Sequence, residues 1–432
     1  MAVREMSADD AVALVRSRDA IGLGLITGTP TALMKALSRR DDWEDLTFSG
    51  GLILGNYDVF VHPKVHYRSS FFGGAERSYV ARGADTQYVP SFFRHYGLLI
   101  QHLAPRVMMT TASMPDEHDH VSLSLYNGAH LEEYERAGRD PTRLLIVECS
   151  PDFPRTYALE GHVNHLDLEH IDVVVYTDER PTVFPNEPGS PDEAKIADFA
   201  AAFIPDGATL QTGIGAVPNL VAQALVKGKG GDYGVHSEMF TDGLYQLIAT
   251  GKVTNRKKNI HQGTSVITFA AGTQEMYDFI DDNRTIGVAP VTYTNNPHVI
   301  AQNHRMVSIN SALEVDLHGQ IVADTLGARQ YSGTGGHQDF VEGTSHSLEH
   351  TSLICLTSTA LVNGIRKSRV VSTITPHGVV TSPRHLAGVI VTEHGAADLR
   401  GKTVRERARA MIAIADPEFR EELSSSADLL GR

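Results

Sequence analysis

The sequence predicts an α/β protein built mainly on parallel sheets, and three observations carry the prediction. Short β-rich runs alternate with helical stretches, the pattern that βαβ units produce. The chain has 432 residues, too long for one ordinary domain of roughly 100–200 residues. Its second half also opens much as its first does.

Each element has its own signal. Ser7, followed by Asp9, Asp10 and the periodic Ala11, Val12, Leu14 and Val15, reads as an N-capped amphipathic helix. The start, Met1 to Arg16, lacks the apolar run of a secretory signal. Ile21–Ile26, Leu144–Glu148 and Val173–Tyr176 read as strands, and Pro30–Arg40 as a helix. Over Thr177–Pro191 the periodicity stops in a short polar stretch with four prolines, the best linker candidate. That places an N-terminal domain at residues 1–185 and a C-terminal domain at 190–432. Asp192–Phe203 reads as a helix, and Ile204–Asn219 as turn, strand and glycine loop. Ala20–Leu33 and Gly207–Leu220 share the order strand, glycine turn, proline, helix, which suggests a duplicated domain without proving one. Val404–Leu423 reads as two charged amphipathic helices split at Asp416–Pro417, a packing pair.

Composition narrows the partners. Thirty-eight Lys+Arg against 52 Asp+Glu give a formal charge of −14, which repels polyanions at long range. Nucleic acid and anionic membranes are therefore not expected, whereas a small anionic cofactor is allowed where basic residues gather. Two cysteines, Cys149 and Cys355, make no disulfide framework and read as buried small hydrophobes of a cytoplasmic protein. No apolar run approaches the roughly 20 residues of a membrane span.

Several stretches offer chemistry. Gly213-Ile-Gly215-Ala216-Val217-Pro218-Asn219 follows a predicted strand and opens a helix, where backbone N–H groups can hold anionic or carbonyl oxygens. It lacks the third glycine of a dinucleotide fingerprint and has no P-loop lysine, so a plain tight turn stays equally open. In Gly234-Val-His236-Ser237-Glu238, a glutamate among small and apolar residues is a candidate nucleophile or base. Taken alone, it reads better as a surface glutamate starting a helix over Met239–Thr250. Ser332-Gly333-Thr334-Gly335-Gly336-His337-Gln338-Asp339-Phe340 exposes backbone donors of the kind that make an oxyanion hole or phosphate nest. Asn255-Arg256-Lys257-Lys258-Asn259 gathers basic residues, and a phosphate contact and a solvated turn are both open.

A metal is not expected. Glu117-His118-Asp119-His120 has ligands too close together to converge on one ion, and His346/His350 lack a third partner at readable spacing. Both read better as solvated loop.

Five stretches in order carry a family resemblance: Gly213–Asn219, Gly-Val-His-Ser-Glu at 234–238, Ile-Asn310-Ser-Ala-Leu-Glu-Val-Asp316, Gly333–Phe340, and Val391–Arg400. Together they resemble the acetyl-CoA hydrolase/transferase branch of the class I coenzyme A transferases, densely from Ile204 to Leu423 and more thinly before Arg155. The resemblance implies two similar open α/β/α domains with the active site at their interface, and a homo-oligomer. It implies coenzyme A as acyl-CoA co-substrate, a small carboxylic acid as partner, and Glu238 as the catalytic glutamate. A covalent, ping-pong exchange would follow, through an acyl-glutamyl anhydride and a glutamyl-CoA thioester. The same resemblance assigns oxyanion donors to Asn295 and to the backbone of Gly335 and Gly336. It lays CoA along Gly213, Gly215, Ala216, Val217, Pro218 and Asn219; Gly333 and Gly336 of the second glycine stretch, and Lys258 of the basic run, are the further contacts expected. An acyl-CoA hydrolase of the same fold is the alternative, differing only in the last step.

The chain departs from the family pattern at several places. His337 replaces a usual glutamine, Glu342 an arginine, and Thr351 a lysine that can meet CoA. Glu148-Cys149-Ser150 and Ser122-Leu123-Ser124 also differ from the usual runs. These changes suggest an acid larger or more polar than acetate.

Overall fold

The computed structural model of the chain describes residues 3–184, 188–213 and 215–427. Ile214 of the glycine loop and residues 185–187 of the predicted linker lie outside the described residues. The chain divides into two compact units, Met1–Phe184 with Val266–Thr294, and Pro185–Ser265 with Asn295–Arg432. The units are thus not two continuous halves. Val266–Thr294 belongs to the first because Gly287 and Val288 pair in parallel with Tyr157 and Ala158. Val266 and Ala289 also pack on Leu159.

The first unit is built on eight strands, β1 (Arg4–Glu5), β2 (Arg18–Leu23), β3 (Asp45–Gly50), β4 (Val65–Ser69), β5 (Asp85–Tyr88), β6 (Val107–Ala112), β8 (Leu144–Cys149) and β10 (Val173–Tyr176). They lie in the order β1-β10-β8-β6-β2-β3-β4-β5, every pair parallel. All six residues of β6 and of β8 are buried, as expected of parallel strands covered on both faces. Two further strands, β7 (His120–Ser122) and β9 (His165–Asp167), form a separate antiparallel ribbon. The predicted strand Ile21–Ile26 is shifted to Arg18–Leu23, because the chain turns at Gly24. A Cβ there would lie 2.3 Å from the Gly28 carbonyl oxygen. The predicted helix Pro30–Arg40 is the shorter Thr31–Leu37, with Pro30 at its N-cap. Ser7 accepts from the Asp10 N–H and caps the helix Ala8–Val12.

The main sheet of the second unit has six strands, β11 (Thr209–Thr212), β12 (Gly234–Val235), β13 (Met306–Ser311), β14 (Thr351–Cys355), β15 (Val389–Thr392) and β16 (Gly395–Asp398). Their order is β12-β11-β13-β14-β15-β16, parallel except for the final antiparallel pair. Mainly parallel sheets flanked by helices are the fold class that the alternating sequence predicts. Ser190 and Glu193 form a capping box that starts the helix Pro191–Ala201. The C-terminal helices span Val404–Ile414 and Arg420–Ala427. Their Ala408, Met411, Ile414 and Leu423 are buried with Val315, Ile354 and Ile390, so the pair packs the core. Cys149 and Cys355 are buried and unpaired. No helix among the described residues is long and apolar enough to cross a membrane.

Candidate active site

In an open α/β sheet the strand C-termini leave loops and helix N-termini at one edge, where ligands ordinarily bind. The second unit assembles its chemistry there. β11 ends at Thr212, and the Gly213 N–H donates to the Ile309 carbonyl at 3.1 Å. Gly215, at φ +124°, is the N-cap of the helix Ala216–Lys227; a side chain would be strained in that left-handed region. Alongside runs β12, pairing Gly234 with Thr209 and Val235 with Leu210, and the His236 N–H continues the ladder to the Leu210 carbonyl.

At that point the chain leaves the ladder. The Ser237 hydroxyl donates to the Met239 carbonyl at 2.7 Å and receives the Thr212 N–H at 3.4 Å. The Thr212 and Thr241 hydroxyls meet at 3.0 Å. Glu238 therefore stands in a tight bend at the strand edge. It does not start a helix over Met239–Thr250: Met239–Phe240 is extended, and the helix is Asp242–Ala249.

Two segments converge on the Glu238 carboxyl, one carrying Asn295 and the other Gly335 to Asp339. Asn295 Nδ2 donates to Oε2 at 2.5 Å and also reaches Asp339 Oδ2 at 3.1 Å. Gly336 packs so closely that a Cβ there would lie 1.9 Å from Glu238 Oε2 and 2.6 Å from Asn295 Nδ2. Gly335 turns the backbone at φ +51°, and Gly336 is the N-cap of the helix His337–Thr344. The positive end of that helix thus faces the carboxyl. Burial pushes the Glu238 carboxyl up to about 8, the nearby Asp339 adds to the rise, and the Asn295 hydrogen bond opposes it. His337 is buried beside this turn, and burial lowers its imidazole to about 4, so it is neutral at physiological pH.

The chain shows a specific kinship. A model of the acetyl-CoA hydrolase/transferase C-terminal domain matches residues 272–427. The chain is 36% identical to a succinyl-CoA:cyclohexane-1-carboxylate CoA transferase of Geobacter metallireducens, over 98% of this chain and 94% of that protein. The chain belongs to the acetyl-CoA hydrolase/transferase family. It is 34% identical to a 4-hydroxybutyrate coenzyme A transferase of Clostridium kluyveri, covering 97% of this chain and 96% of the other. Its fold superposes on RipA from Yersinia pestis with a TM-score of 0.87, at 33% identity over 98% of this chain and 97% of that one. As an enzyme it falls in the CoA-transferase class of this acetyl-CoA hydrolase/transferase family.

Of the predicted site residues, Glu238, Asn295 and Gly336 come into direct contact, with Gly335 next in the chain. Thr212, which precedes the Gly213–Asn219 turn, contacts Ser237, the neighbour of Glu238. Gly333 is buried at the start of the glycine loop. Lys258 needs correction as a cofactor contact. Its side chain is fully buried, and Nζ donates to the carbonyls of Val235 (2.8 Å) and Thr264 (2.7 Å). The ammonium is thus turned inward and engaged by backbone carbonyls, not presented to solvent. Neighbouring Arg256 pairs with Asp232 at 2.6 Å. Thr351 opposes Val307 near the start of β13, whereas Thr212, by Glu238, opposes Ile309 further along. The position of the usual lysine is therefore at the start of its strand, two residues back along β13 from the level of Thr212.

Other candidates have structural tasks. His350 Nδ1 accepts the Met306 N–H at 3.0 Å and Nε2 contacts the Ala301 carbonyl at 3.1 Å, which occupies the ring. Glu148 accepts the N–H groups of Ala32 and Leu33, and Ser122 bonds Thr156, both within the first unit. The sequence reading missed the link from Asp339 to Asn295 and the clamp of Asn255 and Lys258 on Val235. Asp339 lay within the glycine stretch already singled out, but no spacing rule ties it to a residue 44 positions earlier.

Proposed function

We propose that the protein moves CoA from an acyl-CoA to a free carboxylic acid, with Glu238 as the nucleophile. The observation that carries this reading is the Glu238 carboxyl held by the Asn295 amide against the backbone of Gly336. A carboxylate oxygen attacks the thioester carbon, the C–S bond breaks, and CoA leaves as thiolate from an acyl-glutamyl anhydride. The thiolate then attacks the glutamyl carbonyl, releasing the donor's carboxylate and leaving a glutamyl-CoA thioester. An incoming carboxylate reverses both steps and departs as the new acyl-CoA, restoring Glu238.

Each attack passes through a tetrahedral oxyanion. In this reading Asn295 Nδ2 and the backbone N–H groups of Gly335 and Gly336 receive it, and one such donor is worth roughly 3–4 kcal/mol. The helix N-terminus after Gly215 and the turn Gly213–Asn219 are suited to lie along CoA, with backbone N–H groups in place of the buried Lys258. The Glu148 and Ser122 departures are absorbed in internal bonds, so they do not argue for a particular acid. The reading includes a cytoplasmic homo-oligomer that takes no nucleic acid or membrane as partner.

Initial-rate kinetics with a panel of acids test it. Parallel double-reciprocal lines with acyl-CoA and acceptor are expected, together with new acyl-CoA matching each accepted acid. Intersecting lines would overturn the ping-pong order. Thioester loss with water alone, unchanged by any acid, would make the protein a hydrolase.

A further inference from the structure

We propose that His120, His165 and Asp167 of the first unit bind a divalent transition-metal ion of the zinc, cobalt or nickel type. The site uses none of the residues around Glu238. β7 and β9 are antiparallel, with His120 opposite Asp167, Val121 opposite Leu166 and Ser122 opposite His165. Alternation along β9 puts His165 and Asp167 on one face, and direct cross-strand pairing brings His120 to that face. Val121 and Leu166, on the other face, are buried and fix the ribbon's orientation.

The donor atoms converge. His120 Nε2 lies 3.3 Å and His165 Nε2 3.8 Å from the same oxygen, Asp167 Oδ1. The two imidazole rings stack with centroids 4.2 Å apart and planes 22° from parallel. All three donor atoms lie within 4.8 Å of one another. Zinc–nitrogen and zinc–oxygen bonds of about 2.0–2.1 Å give a tetrahedral edge of about 3.3 Å. Closing the set on an ion takes a rotation of the stacked imidazole rings about their side-chain bonds, so that both Nε2 lone pairs turn toward one point, and a contraction of the donor spacing toward that edge. Two imidazoles with one carboxylate suit zinc, cobalt or nickel, whereas magnesium and calcium take oxygen sets. His170 Nδ1 stands 3.4 Å from the other Asp167 oxygen, where it orients the carboxylate.

Access is also provided. The three side chains retain 36%, 38% and 40% of their exposure. His120 and His165 line an open cleft of about 680 Å³, also bordered by Arg155 and Arg284, so water can fill the remaining coordination positions. The sequence shows His120 in a cluster whose neighbours cannot converge; the folded ribbon supplies its partners from β9.

The test uses the full-length untagged chain, stripped with chelator, then titrated with Zn²⁺ by calorimetry and with Co²⁺ by visible absorption. One equivalent of Zn²⁺ should bind in the wild type more tightly than in His120→Ala or His165→Ala. The loss should be at least about tenfold, the lower bound for disturbing a metal's surroundings. Co²⁺ should give tetrahedral-type d–d bands in the wild type that both variants lack. Melting curves of the metal-free proteins should coincide, showing that the variants fold. Zinc affinity and stoichiometry equal in all three folded proteins, or no zinc uptake by the wild type, would overturn the assignment.

Discussion

Asn295 donates from Nδ2 to Glu238 Oε2 at 2.5 Å, and the same nitrogen stands 3.1 Å from Asp339 Oδ2. One neutral amide thus sits between two carboxyl groups. On the proposed mechanism it steadies the Glu238 carboxylate and then receives the oxyanion that would form next to it. Asn295→Ala removes that donor and should lower kcat by about 10²–10³, the range for one oxyanion donor. The variant should also need higher pH than the wild type, because the hydrogen bond that holds the Glu238 pKa down is gone. A kcat–pH profile of both proteins checks the two effects together.

Glu238 titrates high because burial disfavours its charge. The carboxylate is the attacking form, so kcat/KM for acyl-CoA should rise with pH and level off above about 8. Stability should run the other way. Between the ordinary value of 4.5 and about 8, the folded chain keeps a proton that the unfolded chain releases, so this group's contribution to stability falls as pH rises. Glu238→Gln removes that slope. Thermal melts at pH 4 and pH 8 should show the variant's advantage only at the higher pH.

Gly336 has no room for a side chain. Gly336→Ala would drive a methyl group into Glu238 Oε2 and Asn295 Nδ2 and should cost at least about 10² in kcat with the fold retained. Gly74→Ala, in a helix with open space at its Cβ position, should be close to neutral. Equal activity in the two variants would deny the close approach any role in turnover.

Lys258 is a positioning residue. Its Nζ holds the Val235 carbonyl three residues before Glu238, and Asn255 Oδ1 receives the Val235 N–H at 2.9 Å. Burial lowers its ammonium to about 7. Lys258→Met leaves two carbonyls short of a donor, at about 1–3 kcal/mol each when buried. The melting temperature and kcat should fall while KM for acyl-CoA stays near the wild-type value. A raised KM with kcat and stability unchanged would instead mark a phosphate contact.

Much of the fold was legible because its strands are strongly patterned. β10 matches its predicted bounds, and the apolar run of β8 announces a strand covered on both sides. Val266–Thr294 was not legible as part of the first unit, since pairings of two or three residues leave no periodic trace. At the site, local sequence offered Glu238 and the glycine stretches only as open possibilities. The family resemblance linked them to Asn295, and the folded second unit brings Glu238, Asn295 and Gly336 into contact. Lys258 misled because a run of basic residues reads alike whether its members face water or, as here, reach inward to backbone carbonyls. The ring of His120 gained its partners only through cross-strand register, which no local spacing reveals.

On the proposed mechanism Glu238 becomes covalently joined to CoA. Intact-mass and peptide mass spectrometry of the enzyme incubated with acyl-CoA alone test it most directly. The expected result is a glutamyl-CoA thioester on the peptide carrying Glu238, with free acid released, removed by borohydride and absent in Glu238→Gln. Full transferase turnover with no adduct at Glu238 from any acyl-CoA that the enzyme consumes would contradict it.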